Sequence, residues 1–177
     1  AVAQCNAQDG INFVQTADGA LNETTNMLQR IRELAIQSAN GTQNDTTRAA
    51  LDEEVRQLLA QIDDVANDTD FNGIRVLSSA VTLQAGARAS QTLSVAVGPA
   101  TTGDLKVSTL AISSINSATS AISTVDIALR SVNTLRSTLG AFQNRLEFTI
   151  NSLAIQEENS AASESAIRDA DIARETI

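Results

Sequence analysis

The sequence predicts a mainly α fold: an elongated antiparallel helical bundle or coiled-coil rod with a small β-hairpin element. Three observations carry this. Two columns of apolar residues recur every seven positions, Ala7, Val14, Leu21, Leu28, Ala35 and Val125, Val132, Leu139, Leu146, Leu153. Such a repeat makes a narrow seam that supercoils around a partner helix. Aromatic residues are only 2% of the 177, while hydrophobic residues are 42%, so the core is built from Ala, Val, Ile and Leu. Those side chains suit interdigitated helices better than a β-sandwich. Finally, the last sixty residues contain one Gly and no Pro, leaving a helical pattern almost unbroken.

The first helix is expected over 1–40, with Ile11 and Ile31 beside its column. Gly10 and Gly19 each weaken it by about 1 kcal/mol relative to Ala. Asn40-Gly41 supplies a left-handed residue to end it. Thr42–Thr46 offers several N-caps for a second helix over 46–66, whose stripe is Leu51, Val55, Leu58, Ile62 and Val65. The short link makes the two helices antiparallel neighbours. Between 74 and 111 the pattern turns β-branched, with Arg75–Ser79, Val81–Ala85 and Thr92–Val97 forming a small antiparallel hairpin or meander. A long helix over 116–174 follows, and both N-terminal helices pack on it. Ser123-x-x-Asp126 has the form of a capping box but sits inside the periodic run. The four segments form one rod domain over 1–177. The pattern starts in mid-repeat at Ala1 and stops abruptly at Ile177, which reads as a piece of a longer protein.

Composition narrows the chemistry. There is no His and a single Cys, Cys5, which excludes a Ser-His-Asp triad, a Cys-His nucleophile and the usual zinc ligand sets. A net charge of −9 is the reverse of what duplex binding needs, so no nucleic acid partner is expected. No apolar run reaches the length of a membrane span, so no membrane insertion is expected. The adjacent carboxylates Glu53/Glu54, Asp63/Asp64 and Glu157/Glu158 point about 100° apart on a helix and read as a solvated face rather than an acid–base dyad. Asp68-x-Asp70-x-Asn72-Gly73 copies the start of a calcium loop, but Ser79 stands where the bidentate Glu belongs. A turn with Asx hydrogen bonds is the simpler reading. Four Asn-x-Thr sequences, at Asn22, Asn40, Asn44 and Asn67, are read as chance matches to the glycosylation pattern. Cys5 reads as a small apolar residue rather than a redox centre. No catalytic residue, cofactor or metal site is assigned.

Several motifs carry a family resemblance. Asp9-Gly10-Ile11, Thr16–Glu23, Leu28–Gly41, Phe71-Asn72-Gly73, Leu139–Leu146 and Ala166–Asp171, in this order, resemble bacterial flagellin. The resemblance implies the rod domain of a flagellin, without the family's extreme terminal segments and with little or no outer domain. It implies a non-enzymatic, secreted structural subunit of the extracellular flagellar filament, mediating motility by self-assembly. Implied partners are other flagellin subunits, an export chaperone for the full-length chain, and Toll-like receptor 5 of animal hosts. The alternatives are a hook–filament junction protein and a surface-displayed adhesin or carbohydrate-binding relative using the 75–111 element.

The family's receptor-binding residues map onto Gln29, Arg30, Leu34, Gln37 and Glu54. Arg30, Leu34 and Gln37 fall on the side of their helix opposite the Leu28–Ala35 column, so periodicity places them outward. The competing reading packs Leu34 on another helix of the bundle. An antiparallel hairpin brings Glu54 level with Arg30.

Overall fold

In a computed structural model the described residues are 2–86 and 90–175, with side chains described through 168. The end of the Ala166–Asp171 motif and residues 87–89 of the expected β-element therefore lie outside the described side chains. The helices are α1 (Val2–Ala39), α2 (Asp45–Asp68) and α3 (Ile115–Glu175). Two antiparallel hairpins lie between α2 and α3: β1 (Asp70–Phe71) with β2 (Ile74–Arg75), and β3 (Ala80–Gln84) with β4 (Thr92–Ala96). At 1.5 Å per residue the 38-residue α1 is about 57 Å long and the 61-residue α3 about 90 Å.

All five residues of the first seven-spaced column are buried, and so are Val125, Val132, Leu139 and Leu146 of the second. α1 and α3 run antiparallel along this seam, pinned by Arg32 Nε to Asp126 Oδ1 at 2.8 Å and by Arg136 to both oxygens of Asp18 at 2.8 and 3.2 Å. Asp126 is thus a mid-helix partner and not a cap. The start of α3 is capped instead by Ser114 and Ser117, each hydroxyl accepting the other's backbone N–H.

The end of α1 corrects one expectation. Gly41 does not take a positive φ; among the described residues only Asn72, Lys106 and Gly73 do. The last carbonyls are met by a side chain. Arg48 of α2, 5% exposed, donates through Nε to Ser38 O at 2.9 Å, through Nη2 to Asn40 O at 3.0 Å and through Nη1 to Gln43 O at 2.7 Å. A planar fork of donors suits three convergent carbonyls. Asn44 caps α2, its Oδ1 accepting Thr47 N–H at 2.7 Å.

The buried stripe of α2 is also rotated from the expected one. Val55 and Ile62 are buried, but Leu51, Leu58 and Val65 are only half-buried, and Leu59, Ala66, Arg48 and Asp52 complete the inner face. Two charged residues lie within this stripe, and a pattern read from apolar residues alone is drawn away from them.

A further correction concerns packing order. α2 packs on α1 and has little direct contact with α3. Residues 97–111, expected within the β-element, form no strand; with 112–114 they make an irregular strap along the groove between α2 and α3. The strap buries Val97, Ala100, Leu105, Val107 and Ile112 and so forms the fourth side of the bundle. It is tied down by side chains. Asp63 accepts the Thr102 N–H and hydroxyl, each at 2.8 Å; Asp52 accepts Ile112 N–H at 2.6 Å; Ser38 Oγ donates to Ile112 O at 2.5 Å.

The hairpins dock near the N-terminal end of α1. Phe71 meets Phe13 edge-on at 6.2 Å between ring centroids. Gly10 admits β3: a Cβ there would stand 2.2 Å from Leu83 Cδ1. Asn6 Nδ2 donates to Gln84 O at 3.1 Å beside it.

Candidate functional site

The residues singled out by resemblance lie on α1 and α2, and the antiparallel turn at 40–44 brings them together. Gln29, Arg30 and Gln37 are exposed on α1, and Glu54 is half-buried on α2. Arg30 and Glu54 stand at the same height: Nε and Nη2 of Arg30 donate to Glu54 Oε1 at 2.9 and 2.7 Å. Its Nη1 also reaches Glu33 Oε2 at 3.4 Å, one helical turn along. The hydrogen bonds and charge of Glu54, with a smaller contribution from Glu33, push the Arg30 guanidinium above its ordinary pKa. The pair is half exposed on each side, so solvent screens it and its effect on stability is small. Its main effect is geometric: the guanidinium bridges α1 and α2, held by two hydrogen bonds to one oxygen of Glu54.

Leu34 departs from the outward placement expected of it. It is 1% exposed and belongs to the core, against the α1 face where Ile31, Ala35 and Ser38 are also buried. α1 is flanked by α2 on one side and by α3 on another, so its buried arc is wider than one seam and takes in Leu34. It supports the surface from beneath.

The remaining candidates resolve into structural roles. Asp63 of the Asp63/Asp64 pair holds the strap through Thr102, and Glu53 meets Arg56 at 3.1 Å. The calcium-like segment is a hairpin in which Asn72 (φ 53) and Gly73 (φ 77) form a two-residue turn, with Asp70 Oδ2 accepting Gly73 N–H at 2.9 Å. That is an Asx hydrogen bond of the expected kind. Among the described residues, no group of three or more His, Cys, Asp or Glu is arranged to hold a metal ion. No described helix is long and apolar enough to cross a membrane. Cys5 is exposed rather than packed on the rod.

The sequence reading missed the buried polar residues that position this surface, Ser38, Arg48 and Asp52. The only signal for them was negative: polar side chains at positions where helical periodicity calls for apolar ones. Every described buried side-chain polar atom has a hydrogen-bond partner, so the polar core is fully satisfied.

Comparison with known proteins bears on the whole chain. The family model of the bacterial flagellin N-terminal helical region matches residues 1–82, and that of the bacterial flagellin C-terminal helical region matches residues 110–177. The flagellar filament 31.3 kDa core protein of Treponema maltophilum is 38% identical over 194 residues, covering 99% of this chain and 68% of its own length. The crystal structure of Bacillus cereus flagellin superposes with a TM-score of 0.76 at 33% identity, over 90% of this chain and 94% of that one. A putative flagellar hook-associated protein from Vibrio parahaemolyticus shares the fold, with a TM-score of 0.72 at 13% identity over 94% of this chain and 89% of that one.

Proposed function

The chain belongs to the bacterial flagellin family, and from that premise we propose that its α1–α2 face serves as a recognition surface for Toll-like receptor 5. The chain itself is a structural subunit of the bacterial flagellar filament, a helical polymer used for motility. The family is a structural one, and a hook–junction or adhesin role is not favoured: both matching family models are those of flagellin, and the hook-associated neighbour, at 13% identity, shows the fold alone. Subunits of this kind join head to tail without closing, which generates an open helical polymer. We further infer that the subunit is secreted and that the full-length chain travels with an export chaperone.

The observation that supports receptor recognition is the Arg30–Glu54 pair, 24 positions apart and joined at 2.7 Å on an exposed surface between Gln29 and Gln37. A guanidinium held by a neighbouring carboxylate is presented with less conformational freedom to lose on binding, and Arg is favoured at interface hot spots. Its position across two neighbouring helices places Gln29, Arg30, Gln37 and Glu54 within one accessible surface. Leu34 contributes by packing underneath, not by contact.

Binding of the folded protein to the immobilised receptor ectodomain tests this. Arg30→Ala is expected to weaken binding by at least ~1 kcal/mol, with helix content unchanged by circular dichroism. Wild-type affinity in that variant overturns the role of Arg30, and no binding by the unsubstituted protein overturns the receptor reading as a whole.

A further inference from the structure

The chain has two Asn-Gly pairs, Asn40-Gly41 in the α1–α2 turn and Asn72-Gly73 in the β1–β2 turn, and all four residues are exposed. An Asn side-chain amide is open to attack by the next backbone nitrogen, most of all when the next residue is Gly, which has no Cβ to obstruct the approach. The fold gives the two pairs opposite surroundings.

At Asn40 both reacting groups are prepared. Its Oδ1 accepts Thr42 N–H at 3.2 Å, an Asx turn that lays the side-chain amide over the peptide to Gly41 and draws electron density from Cγ. Gly41 N–H, the nucleophile, has no hydrogen-bond partner among the described residues. The carbonyl of that same peptide, Asn40 O, accepts Arg48 Nη2 at 3.0 Å and Gln43 N–H at 3.1 Å. Charge on a deprotonated peptide nitrogen spreads onto its carbonyl oxygen, so a guanidinium there stabilises the anion that attacks. Arg48 is buried, which limits screening by water. Asp45, 3.7 Å from Arg48 Nη1, is fully exposed and its opposing charge is screened.

At Asn72 the same chemistry is opposed. Gly73 N–H donates to Asp70 Oδ2 at 2.9 Å, so this nitrogen would have to lose its proton beside a carboxylate. Strand pairing on either side also fixes the turn, with Asn72 at φ 53 and Gly73 at φ 77.

We propose that Asn40 is a self-modification site, which deamidates in the folded protein in preference to Asn72. Gly41 N attacks Asn40 Cγ, water carries the proton from this nitrogen to Nδ2, and the Cγ–Nδ2 bond breaks to release ammonia and leave a succinimide. Water then opens the ring at either carbonyl. One water is consumed and one ammonia released, and nothing is oxidised or reduced. Opening at Cγ gives Asp. Opening at the main-chain carbonyl gives isoaspartate, whose free carboxylate contains the former Asn40 O. Arg48 Nη2 and Gln43 N–H then face a carboxylate in place of a carbonyl, and the charge-assisted bond holds the product. The reaction adds a negative charge at the C-terminal end of α1, where the helix dipole alone would disfavour it. The isoaspartyl product also routes the main chain of the turn through an extra methylene.

The test incubates the full-length protein at neutral pH, with peptide mapping by mass spectrometry and isoaspartate labelled by an isoaspartyl methyltransferase. In the folded protein Asn40 is expected to gain one mass unit at least tenfold faster than Asn72. In urea the two rates should converge, since the dipeptides are then alike. Gly41→Ala should slow the reaction at Asn40 at least tenfold; a Cβ there meets nothing within 4 Å, so helix content should be unchanged. Asp70→Asn should speed the reaction at Asn72 and leave Asn40 as it was. Equal rates in the folded protein, a faster Asn72, or no reaction at Asn40 overturns the proposal. An undiminished rate in Gly41→Ala overturns the succinimide route, and an Asn72 rate unmoved by Asp70→Asn overturns charge as the source of the preference.

Discussion

The carboxylate of Asp52 on α2 accepts the backbone N–H of Ile112 at 2.6 Å, across sixty positions of sequence. Its other oxygen takes Arg56 Nη2 at 2.7 Å, one turn along the same helix. Asp52 is 3% exposed, so this single side chain ties the strap to the bundle from inside. The strap has no ladder of its own and needs such ties to satisfy buried backbone groups.

Asp52→Ala is therefore expected to cost about 2–3 kcal/mol, because it leaves a buried N–H without an acceptor and removes a charge-assisted bond. Equilibrium denaturation by urea measures this as a lower midpoint. An effect below about 0.5 kcal/mol, the usual range for a surface substitution, would show that the strap finds another acceptor.

Arg48→Lys is expected to destabilise by about 1–2 kcal/mol, since an ammonium on a flexible stem does not reproduce the three-carbonyl fork at Ser38, Asn40 and Gln43. Amide exchange localises the damage: protection should fall first over residues 36–48. Uniform loss of protection along α1 would contradict a local capping role.

The glycines give three different outcomes. A Cβ at Gly19 or Gly140 meets nothing within 4 Å, so Ala at either should stabilise by about 0.5–1 kcal/mol through helix propensity. Gly73 sits at φ +77, where Ala should cost about 1–2 kcal/mol. At Gly10 a branched side chain collides with Leu83 and Leu146, so Gly10→Val should loosen β3 and β4 and speed their amide exchange. Thermal denaturation of the four variants checks the signs.

Shape gives a fourth test. A compact chain of this length has a radius of gyration of about 16 Å. A helix about 90 Å long, running past the far end of α1, should raise the value measured by small-angle scattering above ~20 Å. A value near the compact one would mean that α3 folds back on itself.

Much of this was legible along the chain. The two seven-spaced columns fixed α1 and α3 and their seam, because burial of a helix face leaves a periodic trace that needs no knowledge of the partner. The same periodicity placed Arg30, Leu34 and Gln37 outward, which holds for Arg30 and Gln37 but not for Leu34, and the short turn set Arg30 level with Glu54. Tertiary structure alone decided the rest. Leu34 is buried because α1 has neighbours on two sides, and one helix's pattern does not say how many neighbours it has. Gly41 stays out of the left-handed region because Arg48, seven residues later, meets the carbonyls that such a cap would have met. The strap over 97–114 carries no repeat because it has no regular structure; its place is set by Asp52, Asp63 and Ser38 reaching in from other elements. Local sequence specifies what a segment can bury, while hydrogen bonds between distant residues specify where an irregular segment lies.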